Sequence, residues 1–168
     1  MDLLAVSGAD VMQVGIRWVH ILAAIAAGGA VIVKLTAVSP VLATLPDEER
    51  WSLSTRIADK WRPIVFTLIA ALLLTGLLNF FLYQIPAFKP HPQKMVYHGL
   101  FGVKFLAALA FFHGAAVLSL PGPKGEKYRA KARGWLSYMF VLLLVIVTCA
   151  VVMRYFPVLF PAGIPVSE

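Results

Sequence analysis

Two polar side chains inside otherwise apolar segments are the strongest chemical signals in this sequence. Lys104 lies in the middle of the apolar stretch 95–120, and His20 lies within the stretch 14–38. A charged side chain at the centre of a bilayer costs at least about 2.5–3.5 kcal/mol on insertion scales, so such residues are typical of functional sites. None of the eight acidic residues falls in an apolar stretch. Lys104 is therefore expected to be neutral through desolvation, to reach toward the surface, to bond backbone carbonyls or to approach a cofactor.

The residues around His20 suggest what it could bind. His20, Ala24, Ala27 and Val31 share one helical face, by i, i+4, i+7 and i+11 spacing. Small residues on a membrane helix allow a close approach, either by another helix or by a flat macrocycle. His20 itself is either a ligand or a structural hydrogen-bond donor. Arg17, near the outer end of the same stretch, either binds carboxylates such as haem propionates or anchors at lipid headgroups.

The third apolar stretch offers a second set of ligands. His98 precedes Lys104 by six residues, about 120° around a helix, so the two side chains cannot face one point. His91, Met95 and His98 recur at i, i+4 and i+7, which is one stripe if the helix begins near Pro92. Imidazole and thioether together suit copper(I). The alternative is an interfacial histidine pair beside a methionine that packs.

The elements that must position these residues are apolar helices. The chain is 60% hydrophobic and 14% charged, against roughly 25% charged in soluble domains. Four apolar segments each exceed the roughly 20 residues that span a bilayer as a helix: 14–38, 63–85, 95–120 and 135–156. We expect one all-α domain over residues 1–168, an integral membrane four-helix bundle of up-down-up-down order. Trp18, Tyr83, Tyr97 and Tyr155 are interpreted as an aromatic belt at the outer interface.

The connecting loops predict the orientation. Most of the 15 lysines and arginines lie in or beside the first and third loops, which places those loops in the cytoplasm and both termini outside the cytoplasmic (inner) membrane. The net charge of +7 is thus a topology signal that also suits anionic lipid, and we expect no nucleic-acid partner. Asp47, Glu48 and Glu49 precede apolar residues at helical spacing, which predicts a short amphipathic helix on the cytoplasmic surface. The third loop, 121–134, is expected to be irregular.

Several short motifs resemble one membrane superfamily. Trp18-Val19-His20 followed by Gly28-Gly29 resembles the first helix of the copper-resistance-protein-D (CopD) type of domain. The run 99–107, which contains Lys104, is similar to its lysine-bearing helix. Pro63, Thr67 and Thr75-Gly76 resemble the second helix of the related HemJ-type protoporphyrinogen oxidase.

The resemblance implies a four-helix membrane module with a cofactor. In the HemJ branch a histidine of the first helix and a lysine of the third belong to a haem b site, and the matching residues are His20 and Lys104. The CopD branch implies copper handling instead. The third stretch lacks the His-x-Lys spacing of the HemJ branch, because His98 lies six residues before Lys104.

Three functions follow as hypotheses. The first is a haem b electron-transfer module, and by resemblance an oxidoreductase, with His20 as one axial ligand and Lys104 or His98 as the second. It would work with an electron-transfer partner or as a homo-oligomer. The second is a copper-handling membrane protein that uses His91, Met95 and His98. The third is a structural or assembly subunit without a cofactor.

Overall fold

The described part of the chain is entirely helical. The computed structural model describes residues 8–161, and these contain no strand. Four helices are long and apolar enough to cross a membrane: α1 (Gly8–Ala43), α2 (Asp47–Phe88), α3 (Lys94–Leu118) and α5 (Ala132–Arg154). Two short helices, α4 (Gly122–Arg129) and α6 (Phe156–Leu159), follow α3 and α5. The expected all-α class is confirmed, whereas the two termini, predicted to face outward, lie outside the described residues.

The first loop is much shorter than predicted. The helix expected on the membrane surface is not a separate element, because α2 runs without a break from Asp47 through Pro63. Proline inside a helix removes one backbone hydrogen bond and crowds the preceding turn. Arg62, the residue before it, is held on both sides: it pairs with Asp59 and donates from Nε to the Ser119 carbonyl oxygen at 2.9 Å. The bond to Ser119 ties α2 to the end of α3. It lies next to Pro63, at the point where the proline would weaken α2.

The third loop also differs from the expectation of irregular structure. Gly122 has a φ of +64°, a conformation that glycine adopts without a steric penalty, and it opens α4. A Cβ atom at Gly125 would lie 1.8 Å from the Leu120 carbonyl oxygen. The same oxygen accepts a 2.7 Å hydrogen bond from Arg129 Nη1. Glycine at position 125 therefore allows α4 to fold back against the end of α3.

Both of the longest helices contain one π-helical turn. In α1 it covers Lys34–Val38, and in α2 it covers Phe80–Gln84. Turns of this kind are rare and are frequently found at functional sites.

The helices pack most extensively as two pairs, α1 with α2 and α3 with α5. One core cluster joins Val31, Phe111 and Leu118 to Leu136 and Met139. A second cluster, around Phe80, Tyr97 and the fully buried Phe156, lies where the end of α2 meets the start of α3 and the end of α5.

The α3–α5 contact predicts a matched pair of stability effects. A Cβ atom at Gly114 would lie 2.9 Å from Cγ of Met139, a residue that is 2% exposed. Gly114→Val should therefore destabilise the protein by about 1–3 kcal/mol through overpacking. Gly102 is on the same helix with nothing within 4 Å of its Cβ position, so Gly102→Val is the control. Thermal unfolding in detergent measures both; equal melting temperatures for the two variants would contradict the predicted packing.

Candidate functional site

All four long helices line one cavity of about 630 Å³. Sites for small molecules and cofactors usually have volumes of about 300–1,000 Å³ and mostly apolar walls with a few polar groups. The walls here are mostly aliphatic and aromatic, and the polar side chains that face the cavity come from every one of the four helices: Arg17, His20, Asn79, Gln84, Lys104 and Arg154. His20 and Lys104, singled out in the sequence, thus line the same space from α1 and α3.

A hydrogen-bond chain fixes the imidazole of His20. Its Nδ1 lies 2.8 Å from Thr75 Oγ1, and that hydroxyl donates to the Ala71 carbonyl oxygen at 2.5 Å. A threonine hydroxyl has one proton. Because Thr75 gives it to Ala71, the ring of His20 must donate from Nδ1, which leaves a lone pair on Nε2. A histidine held by an N–H bond on one nitrogen, with the other free, is the arrangement seen in histidine metal ligands.

The same ring lies directly against the backbone of α2. A Cβ atom at Gly76 would lie 3.1 Å from His20 Cε1, so any larger residue would press on the imidazole. Ala24 and Ala27 follow His20 along the cavity wall, as their helical spacing predicted. The small-residue face of α1 therefore borders open space as well as a neighbouring helix.

Lys104 faces the cavity without a carboxylate partner. The ion pairs within residues 8–161 are Arg50–Asp47 and Arg62–Asp59, and neither involves the cavity. Asn79 Oδ1 is buried there and has no hydrogen-bond partner within the described chain. Arg17 and Arg154 add two cations to the lining. The cavity thus offers two guanidinium groups, one amine and one amide oxygen without a partner in the described chain to whatever occupies it.

Phenylalanine side chains from α2 and α3 form part of the cavity wall. The rings of Phe80 and Phe101 are stacked, with centroids 3.4 Å apart and planes 5° from parallel, and Phe105 continues the stack beyond Phe101. Phenylalanine rings present no conventional hydrogen-bonding groups, so this part of the wall favours apolar contact.

Tyr97 and Gln84 were not identified from the sequence as parts of this region. Tyr97 was interpreted as an interfacial belt residue, which is wrong: it is 2% exposed, and its hydroxyl donates to Gln84 Oε1 at 2.6 Å. Its ring stacks on Phe88 with centroids 3.9 Å apart. The residue types alone gave no signal for this pair, since the bond joins the end of α2 to the start of α3.

The outer stripe predicted for copper does not form one helical face. Helix α3 begins at Lys94, so His91 lies in the preceding turn, where its Nδ1 accepts a 3.2 Å hydrogen bond from the Gln93 N–H. Met95 is 75% exposed. His98 packs edge-on against Phe80 and does not line the cavity. Within residues 8–161, no three His, Cys, Asp or Glu side chains are grouped as a metal site.

Comparison with protein-family models, with curated proteins and with solved structures found no match to this chain.

The hydrogen-bond chain predicts a defined tautomer for His20. Nitrogen-15 NMR of histidine-labelled protein in detergent should show the Nδ1–H form at His20. Thr75→Val should remove this preference and lower stability by about 1–3 kcal/mol, because the ring N–H loses its acceptor. Thr67, on the same helix, is exposed, so Thr67→Val should change neither the tautomer of His20 nor the stability of the protein. An Nε2–H tautomer in the unaltered protein would contradict the assignment.

Proposed function

We propose that the chain is a multi-pass protein of the cytoplasmic membrane, built as an up-down-up-down bundle of α1, α2, α3 and α5. The four apolar helices support this placement, since each is long enough to cross about 30 Å of hydrocarbon. The basic residues before Pro63 and on α4 favour a cytoplasmic side for the α1–α2 and α3–α5 connections. The α2–α3 connection then faces outward.

Within that bundle, the proposed ligand of the cavity is haem b, held by His20 and Lys104. One observation carries this proposal: an imidazole bonded through Nδ1 to Thr75 and an amine without an ion-pair partner in residues 8–161 line the same apolar cavity from two different helices. His98 is not the second ligand in this proposal, because it packs against Phe80 and does not line the cavity.

Other features of the cavity fit a haem group. Its volume suits a cofactor, and Phe80 and Phe101 contribute apolar wall. Arg17 and Arg154 are suited to bind the two propionates as charge-assisted hydrogen-bond donors. The residues present thus match the apolar and the anionic parts of the molecule.

The proposed activity is electron transfer. Haem supplies a one-electron couple when bound, with a potential set by its axial ligands and by the surrounding dielectric. The chain's own residues would hold His20 in one tautomer through Thr75, keep the ring in place against Gly76, and exclude water with phenylalanines. A redox partner would have to approach the cavity near Arg17 and Arg154. Membership of the CopD and HemJ superfamily stays part of this proposal, and an oxidase activity would require a substrate beside the same cavity.

Cysteine labelling tests the orientation. In a Cys149→Ala background, Lys89→Cys lies between α2 and α3, and Lys124→Cys lies on α4. A membrane-impermeant maleimide added to intact cells should modify position 89 and should reach position 124 only after permeabilisation. Modification of position 124 in intact cells, together with protection of position 89, would show that the orientation is the opposite of the one proposed.

An absorption spectrum of the protein purified in mild detergent tests the haem proposal. The unaltered protein should show a Soret band, and a pyridine haemochrome assay should identify haem b. His20→Ala should abolish the band, because it removes a ligand. His113→Ala is the matched control: His113 is also in a predicted span, but it is exposed and does not line the cavity.

Three results would overturn this assignment. One is a protein without a Soret band even after haem is supplied. Another is a band that His20→Ala leaves unchanged. The third is copper found by metal analysis in place of haem. Circular dichroism and gel filtration of His20→Ala check that a lost band does not reflect unfolding.

A further inference from the structure

A second cavity, of about 460 Å³, lies between the C-terminal part of α1, the N-terminal part of α2 and the α4–α5 connection. Among the described residues, its lining includes four cationic side chains and no acidic one. The cationic residues are Lys34, Arg50, Arg129 and Arg133. Its remaining walls are largely apolar, with Leu42, Ile57 and Leu136 among them. We propose that this basic cavity binds the phosphate of an amphiphilic ligand, with an anionic phospholipid headgroup as its source. The proposal is independent of haem binding, and its lipid source rests on the membrane placement proposed above.

Three of the four cations in the basic cavity have no ion-pair partner within residues 8–161. Arg50 pairs with Asp47 on its own helix. No carboxylate within residues 8–161 forms an ion pair with Lys34, Arg129 or Arg133. Cations that converge without acids repel each other, and a low-dielectric apolar wall strengthens that repulsion. A bound anion removes the repulsion, so the arrangement favours a negatively charged ligand.

Arg129 is pre-positioned for such an anion. Its Nη1 donates to the Leu120 carbonyl oxygen at 2.7 Å and its Nη2 to Thr55 Oγ1 at 3.3 Å, which fixes the guanidinium between α3 and α2. Its Nε is buried and has no partner within the described chain. A buried donor without an acceptor is unfavourable, and a phosphate oxygen would satisfy it. Guanidinium groups recognise phosphate well, because their N–H groups are arranged in a rigid planar fork.

Lys34 provides a second fixed charge from the opposite helix. Its ammonium lies 5.8 Å above the ring of Trp61, a cation–π contact that leaves the N–H groups free for an anion. The residue opens the π-helical turn Lys34–Val38, and both ends of that turn line the cavity. The phosphate would thus bind between α1 and α4, with its apolar portion along Leu42, Ile57 and Leu136.

Ligand titrations of the delipidated full chain in neutral detergent test this site. Binding of short-chain phosphatidylglycerol, of phosphatidylcholine with the same chains and of inorganic phosphate would be measured by native mass spectrometry and thermal shift. Phosphatidylglycerol should bind and raise the melting temperature. The double variant Arg129→Gln/Arg133→Gln should weaken phosphatidylglycerol binding at least about tenfold. Each lost hydrogen bond to a charged group is worth a factor of this order in affinity. Lys34→Gln should weaken it as well and provides a second variant should the double one fail to fold.

The control variant also removes two positive charges, but from residues outside the cavity. Lys124 and Lys127 are exposed on α4 and do not line it, so Lys124→Gln/Lys127→Gln should leave the affinity nearly unchanged. Equal weakening by both double variants would mean general surface attraction and would overturn the site, as would the absence of binding. Inorganic phosphate that binds as tightly as the lipid, with the same variant pattern, would support the phosphate site and exclude the lipid as its source. Haem content, read from the Soret band, should not change in these variants.

Discussion

The single proton of the Thr75 hydroxyl sets the chemistry of the main cavity. Inside an apolar bundle there is no water to satisfy polar groups, so each hydroxyl and ring nitrogen must find its partner within the protein. Thr75 donates to Ala71 on its own helix and therefore only accepts from His20. Gly76, which admits the ring to within 3.1 Å of a Cβ position, keeps α1 and α2 close enough for that bond. One short hydrogen-bond chain thus joins two helices and holds the imidazole at the cavity wall.

The distribution of acidic residues explains why both cavities are cationic. Asp47 and Asp59 lie in α2 three residues before Arg50 and Arg62, and each pairs locally with that arginine. Pairs of this kind on an exposed helix stabilise it only slightly, but they use up the carboxylates nearest the bundle. Lys104 at one cavity and Lys34 and Arg129 at the other have no such partner within residues 8–161. Because a buried charge is unfavourable unless it is paired, both cavities favour anionic or electron-pair-accepting occupants supplied from outside the chain.

Much of this architecture could be predicted from composition, because length and hydropathy determine where an apolar helix must lie. The face that carries His20, Ala24 and Ala27 followed from helical periodicity, and so did the separation of Lys104 from His98. The continuity of α2 through Pro63 could not be predicted, since it depends on bonds from Arg62 to Asp59 and to the distant Ser119. Tyr97 was misinterpreted for the same reason: its partner Gln84 is on another helix. Contacts that are distant in sequence leave no local pattern to detect.

The two π-helical turns relate the backbone to the two cavities. Such a turn corresponds to one inserted residue, and at 3.6 residues per turn that residue rotates the following side chains by about 100°. In α2 the turn Phe80–Gln84 places Phe80 and Gln84 on the wall of the main cavity, while Gln84 still reaches Tyr97. In α1 both ends of the turn, Lys34 and Val38, line the basic cavity, and Ala24 and Ala27 earlier on the helix line the main one. Each inserted turn thus lies at a cavity, and the residues at both of its ends contribute to the cavity wall.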